Sequence, residues 1–272
     1  DMKAFLALAI DAARRFEANQ FREPLTILAT ADEESSMAGA LALVEAGRPL
    51  GRHAVIGEPT GLRPVRTHKG IMMEAIRVRG QSGHSSDPSL GNSALEGMYQ
   101  VLGEILDWRT ELQARHRNPL FKVPVPTLNL GHIHGGDNPN RICGACELHI
   151  DLRPLPGMDL DELRGELERR LTQRLDGSGL GLSVERLFAG TPAMETPAGA
   201  PIVQTAERLT GHPAEAVAFG TEGPYLNELG MDTLILGPGD IDQAHQPDEY
   251  LRLDRIDPTL DLLEKLIGEF CL

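Results

Sequence analysis

The spacing of apolar and polar positions changes along the chain, and the changes divide it. Apolar residues at helical spacing, Met2, Phe5, Leu6, Leu8, Ala9, Ala12 and Ala13, predict a helix over 2–18. The apolar run Leu25-Thr26-Ile27-Leu28-Ala29 predicts a buried strand over 25–30, a helix is expected over 37–47, and His53-Ala54-Val55-Ile56 reads as another strand. To about residue 68 this is an α/β pattern. From about 70 to 188 it becomes two copies of strand, helix, strand. The first is 71–79, a helix from 92 to about 115 with Leu95, Met98, Leu102, Ile105 and Leu112 inward, then 127–133. The second is 144–153, a helix carrying Leu160, Leu163, Leu167, Leu171 and Leu175, then 180–187. That order is the split βαβ, ferredoxin-like arrangement. The α/β pattern then resumes with a helix over 200–209 and the strand Thr233-Leu234-Ile235-Leu236. The expected fold class is α/β: an open sheet with helices on both faces over 1–68 and 189–272, into which a ferredoxin-like α+β domain, 69–188, is inserted.

A composition of 41% hydrophobic and 24% charged residues in 272 is that of a folded globular protein. The net charge of -14 argues against nucleic acid or an anionic membrane as partner, because clustered Lys and Arg hold phosphates. No apolar run reaches the roughly 18 residues of a membrane span, and three cysteines are too few for a disulfide framework. The expected location is cytoplasmic. Cys143-Gly144-Ala145-Cys146 has zinc-motif spacing, but it falls in a strand, where residues three apart face opposite ways, and only Cys271 remains to complete a site. These are expected to be ordinary strand cysteines.

Ligands of open α/β sheets bind beyond the carboxyl ends of the strands. Ala31-Asp32-Glu33-Glu34-Ser35-Ser36 follows one predicted strand, Glu58 another, and His245 lies in the loop after the strand ending at Leu236. Three carboxylates and an imidazole can converge there, a donor set that suits zinc, cobalt or manganese. Taken singly, each is also what a solvated loop carries.

Four motifs, Thr30-Ala31-Asp32-Glu33-Glu34-Ser35-Ser36-Met37-Ala38-Gly39-Ala40, Ile56-Gly57-Glu58-Pro59-Thr60, Gly80-Gln81-Ser82-Gly83-His84-Ser85-Ser86 and Gln243-Ala244-His245-Gln246-Pro247-Asp248-Glu249-Tyr250, resemble those of the two-zinc aminoacylase and carboxypeptidase family. The likeness covers nearly the whole chain, including Asn140-Arg141-Ile142 and Asp151-Leu152-Arg153-Pro154. It implies a pair of zinc or cobalt ions, with Asp1 bridging them, Glu34 and His245 completing one site and Glu58 belonging to the other. It implies Glu33 as general base and His84 as a residue that steadies the oxyanion, usually from a partner subunit, hence a homodimer formed through the inserted domain. Asn140 and Arg153 resemble residues that bind the substrate carboxylate, and Gly220-Thr221 a loop lining the substrate pocket. The implied reaction is hydrolysis of a small N-acyl amino acid, with Nα-acetylornithine giving ornithine and acetate for arginine synthesis. Deacylation of succinyl-diaminopimelate or acetylcitrulline, and a non-catalytic dimerisation module, are the alternatives. The family's further metal-binding histidine, in a His-x-Asp motif upstream of the bridging aspartate, has no counterpart in a chain that starts at Asp1. The expectation is a fragment lacking its N-terminal part, with one metal site short of a ligand. His132 and His134 share a strand face and are expected to be structural.

Overall fold

The computed structural model describes residues 2–48 and 50–272. It divides into two compact units, Asp1–His68 with Met194–Leu272, and Lys69–Ala193. The first unit starts with α1 (Lys3–Ala13), α2 (Ala38–Ala46), β1 (His53–Ile56) and β2 (Val65–His68). The second consists of β3 (Met72–Arg79), α3 (Ala94–Arg115), β4 (Thr127–Gly135), β5 (Ala145–Arg153), α4 (Leu160–Arg174) and β6 (Gly181–Arg186). The first then resumes with β7 (Met194–Glu195), α5 (Pro201–Thr210), β8 (Glu215–Val217), α6 (Gly223–Glu228), β9 (Asp232–Ile235) and α7 (Ile256–Cys271).

In the first unit β1 runs parallel to β9, and β2 lies antiparallel to β9 and β7 and parallel to β8. Successive residues of a strand face opposite ways. Leu234, with Leu236 just beyond the strand, therefore packs on Ile202, Val203 and Ala206 of α5 and Leu262 and Leu266 of α7. Ile235 faces the other side, with Ile56, Val65 and Leu226 of α6. Helices cover both faces, as the pattern predicts. The helix α7, which the pattern above does not include, carries Pro258 in its first turn. In the first turn of a helix no backbone N–H has an intrahelical partner to lose, so Pro is tolerated there.

Two expectations for this unit are corrected. The opening helix ends at Ala13, followed by a separate 3-10 turn at Ala18–Gln20. The strand over 25–30 does not form: residues 24–30 pair with no strand among the described residues, and Leu25 and Ile27 are 39% and 41% exposed. An apolar run encodes a wish for burial, whereas a strand exists only through the ladder a neighbour offers.

The second unit is a four-stranded antiparallel sheet in the order β4-β5-β3-β6, the ferredoxin-like order, with α3 and α4 packed on it. Its core alternates along β5, Cys146, Leu148, Ile150 and Leu152 being buried between the partly exposed Glu147, His149, Asp151 and Arg153. From α3 the buried residues are Ala94, Gly97, Met98, Val101, Ile105, Trp108 and Leu112, a helical stripe. Leu95, expected inward, sits about 100° round from Ala94 and is 44% exposed. The cysteines are buried and free. No helix among the described residues is long and apolar enough to cross a membrane.

The start of α4 is held by Asp159, whose Oδ1 accepts from the backbone N–H groups of Asp161 and Glu162, both at 2.9 Å. Asp159→Ala leaves both donors without that acceptor and is expected to cost about 1 kcal/mol. Urea denaturation followed by far-UV circular dichroism measures it; a loss under about 0.3 kcal/mol would show that water caps the helix as well.

Candidate active site

The acidic loop is a tight turn. The Asp32 carbonyl accepts from the N–H groups of Ser35, Ser36 and Met37 at 3.2, 3.0 and 2.8 Å. Asp32 and Met37, at its ends, adopt left-handed backbone angles, with φ of 60° and 57°. Residues with a Cβ hold that conformation only where their surroundings enforce it, and such positions gather at functional sites. His245 is a third, at φ 61°, and its Nε2 lies 3.3 Å from Glu34 Oε2.

Two other acids come to this loop from different elements. Tyr225 of α6 packs on Met37, at the end of the acidic loop, and on Ala40 of α2, which brings Glu222, immediately before α6, beside that loop. Glu58 follows β1 through Gly57 and is buried. There the segment after β9 closes in so tightly that a Cβ on Gly237 would lie 2.3 Å from the carbonyl oxygens of both Gly57 and Glu58, so only glycine fits.

Crowding shows in the protonation of these acids. Burial first, then the charges of Glu34 and Glu222, push Glu33 up to about 7, with His245 pulling the other way. Burial, then Glu33, Glu34 and Glu222, push Glu58 up to about 8. Burial likewise raises Glu222, against a hydrogen bond from the Thr30 side chain. Carboxylates that hinder one another's ionisation, with an imidazole in contact, are by donor chemistry a set for a divalent cation. Glu34 and His245 are brought together, and Glu58 shares their field. Among the described residues no three His, Cys, Asp or Glu side chains are gathered closely enough to hold a metal ion, and Asp1 lies outside the described residues.

Thr221 is fully buried. Its N–H donates to His68 Nε2 at 3.3 Å, and its hydroxyl oxygen accepts from the Gly223 N–H at 3.0 Å. Gly220-Thr221 therefore shapes the turn that presents Glu222. The sequence reading overlooked both His68 and Glu222; the second stood within the Gly220-Thr221 motif, as an acid following two small loop residues.

The remaining candidates belong to the second unit. His84 is exposed and pairs in a short antiparallel bridge with Arg141, and the Ser85 N–H donates to the Asn140 carbonyl at 3.0 Å. His84 and Asn140 are thus neighbours. The Ser86 N–H donates to His84 Nδ1 at 3.2 Å, so the imidazole proton sits on Nε2. Arg153 ends β5, its Nε donating to both Asp151 oxygens at 2.9 and 3.0 Å. The strand that separates it from the Asn140 side is about 27 Å long. On β4, His132 stacks against His149 of β5 with ring centroids 4.9 Å apart.

The chain superimposes on the aminopeptidase PepT of Bacillus cereus with a TM-score of 0.78 at 19% identity, over 99% of this chain and 71% of that one. It does so on the M20 family metallo-carboxypeptidase Sso-CP2 of Sulfolobus solfataricus with a TM-score of 0.73 at 16% identity, over 98% and 75%. Likeness at such identities speaks for the fold alone. Residues 66–178 match the family model for a peptidase dimerisation domain. The chain is 53% identical over 273 residues to the acetylornithine deacetylase of Edwardsiella ictaluri, and 48% identical over 274 to that of Pectobacterium carotovorum, covering 100% of itself and 70% of each. The chain belongs to the acetylornithine deacetylase family and is a hydrolase.

Proposed function

We propose that this protein hydrolyses the amide of Nα-acetylornithine to ornithine and acetate, in the service of arginine synthesis. The observation that carries the chemistry is Glu33, a half-buried carboxyl pushed up to about 7 amid other acids. A group with that pKa takes a proton from the attacking water and returns it to the departing amine nitrogen with little penalty either way near neutrality. Glu34, Glu58 and His245, with Asp1, are the residues that would hold two divalent ions, zinc or cobalt. When bound, such ions polarise the amide carbonyl and lower the pKa of water. His84, with its proton on Nε2, is a donor for the developing oxyanion. Arg153 and Asn140 would take the substrate carboxylate, the guanidinium fork giving a charge-assisted pair. Because those two lie toward opposite ends of β5, the reading includes a homodimer in which the second copy supplies His84 and Asn140, in line with the matched dimerisation domain. The three free, buried cysteines agree with a reducing, cytoplasmic setting.

Ornithine release by the zinc-loaded protein tests the reading. The expected result is a specificity constant at least 10-fold higher for Nα-acetylornithine than for succinyl-diaminopimelate or acetylcitrulline, a margin of about 1.4 kcal/mol. Dimers that bind zinc without turnover would instead mark a non-catalytic module, and a reversed preference a neighbouring deacylase.

A further inference from the structure

We propose that Glu222 is a specificity-determining residue of this site, its carboxylate receiving the ammonium at the end of the substrate side chain. The assignment rests on the acetylornithine reading and supplies what it lacks, a partner for the charge that distinguishes this substrate from other N-acetyl amino acids.

Glu222 is 8% exposed, and its Oε1 is buried without a hydrogen-bond partner. A buried carboxylate oxygen left unpaired is costly and needs a cause. The fold does not supply one. Glu222 stands at the N-terminus of α6, but its side chain makes no capping hydrogen bond there. Among the described residues no basic side chain pairs with it; its neighbours in charge are Glu33 and Glu58. The orphan oxygen therefore lies in acidic surroundings that favour a cation. A primary ammonium is compact, with three donors and no acceptor, and matches an unfilled acceptor flanked by negative charge. The position is also rigid. Thr221 is tied to His68 at one end of the turn and to Gly223 at the other, so little ordering remains when a ligand binds.

The experiment compares Nα-acetylornithine with Nα-acetylnorvaline, which has the same side-chain carbons without the ammonium, in the intact natural protein. In the Glu222→Gln variant the ratio of the two kcat/KM values is expected to fall about 10- to 100-fold, mainly through KM for the cationic substrate, the size of a lost charge-assisted hydrogen bond. Equal loss on both substrates, leaving the ratio within about 2-fold of native, overturns the assignment and makes Glu222 a part of the fold or of the acid cluster. Should the glutamine variant not fold, Glu222→Asp carries the same test, since one methylene of withdrawal should lower the ratio at least about 3-fold and an unchanged ratio overturns the proposal. The native ratio by itself tests the substrate reading and the variant ratio tests Glu222, so the two failures are told apart.

Discussion

Replacing Glu33 with glutamine is expected to lower kcat of the zinc-loaded protein by about 10²- to 10⁴-fold, the usual contribution of a positioned general acid-base group. The substitution keeps the size and shape of the side chain and removes only its ability to carry the proton. It also removes a charge from a crowded cluster, because Glu33 is among the causes that raise Glu58. The thermal midpoint of the metal-free variant should therefore stay level or rise. That pairing separates catalysis from folding, since a variant that is inactive because it unfolds would melt earlier. Activity within about 10-fold of native would remove Glu33 from the chemistry and leave it as one more acid of the loop.

The second large effect is on stability against pH in metal-free protein. Glu58 and Glu33 are pushed up to about 8 and about 7 from a carboxylate's ordinary 4.5. Between those limits the folded protein holds protons that the unfolded chain has already released. The folded state binds more protons, so its stability falls as the pH climbs from about 4.5 to 8, the reverse of the usual salt-bridged carboxylate. For Glu58 the full shift would correspond to nearly 5 kcal/mol; coupling among the acids and access of water reduce this to roughly 2–3 kcal/mol. Urea denaturation of chelator-treated protein at pH 5 and pH 8 measures the slope. Glu58→Gln should flatten it, and zinc at about 100 times its dissociation constant should restore some 2.7 kcal/mol at pH 8. A flat profile in the native protein would mean that these carboxyls do not hinder one another.

Both effects arise where the sequence was partly readable. Glu33, Glu34, Glu58 and His245 stood out because acids and a histidine placed just after apolar runs fall at the carboxyl ends of strands, where α/β sheets put their ligands. The run before the first of these acids forms no strand here, yet the loop still comes to the site, because α6 packs on α2 through Tyr225, Met37 and Ala40. Glu222 shows the opposite case. Nothing local separates it from any glutamate at the start of a helix, and only its burial, its unpaired oxygen and its acidic neighbours mark it. His68 was hidden for the same reason, since its bond to Thr221 spans 153 positions.

The sequence by itself determined the class of the two units, the strand-helix-strand order of the second and its core stripes. Those follow from residues close along the chain, whose periods of 2 and 3.6 record which face is to be buried. The tertiary structure alone decided that residues 24–30 gain no ladder, that Thr221 is sealed under its own turn, and that Glu58 sits in the field of three other carboxylates. Each depends on partners distant in sequence. Hydrogen-bond ladders, close packing and the mutual repulsion of charges are properties of pairs, and no single residue's position along the chain carries them.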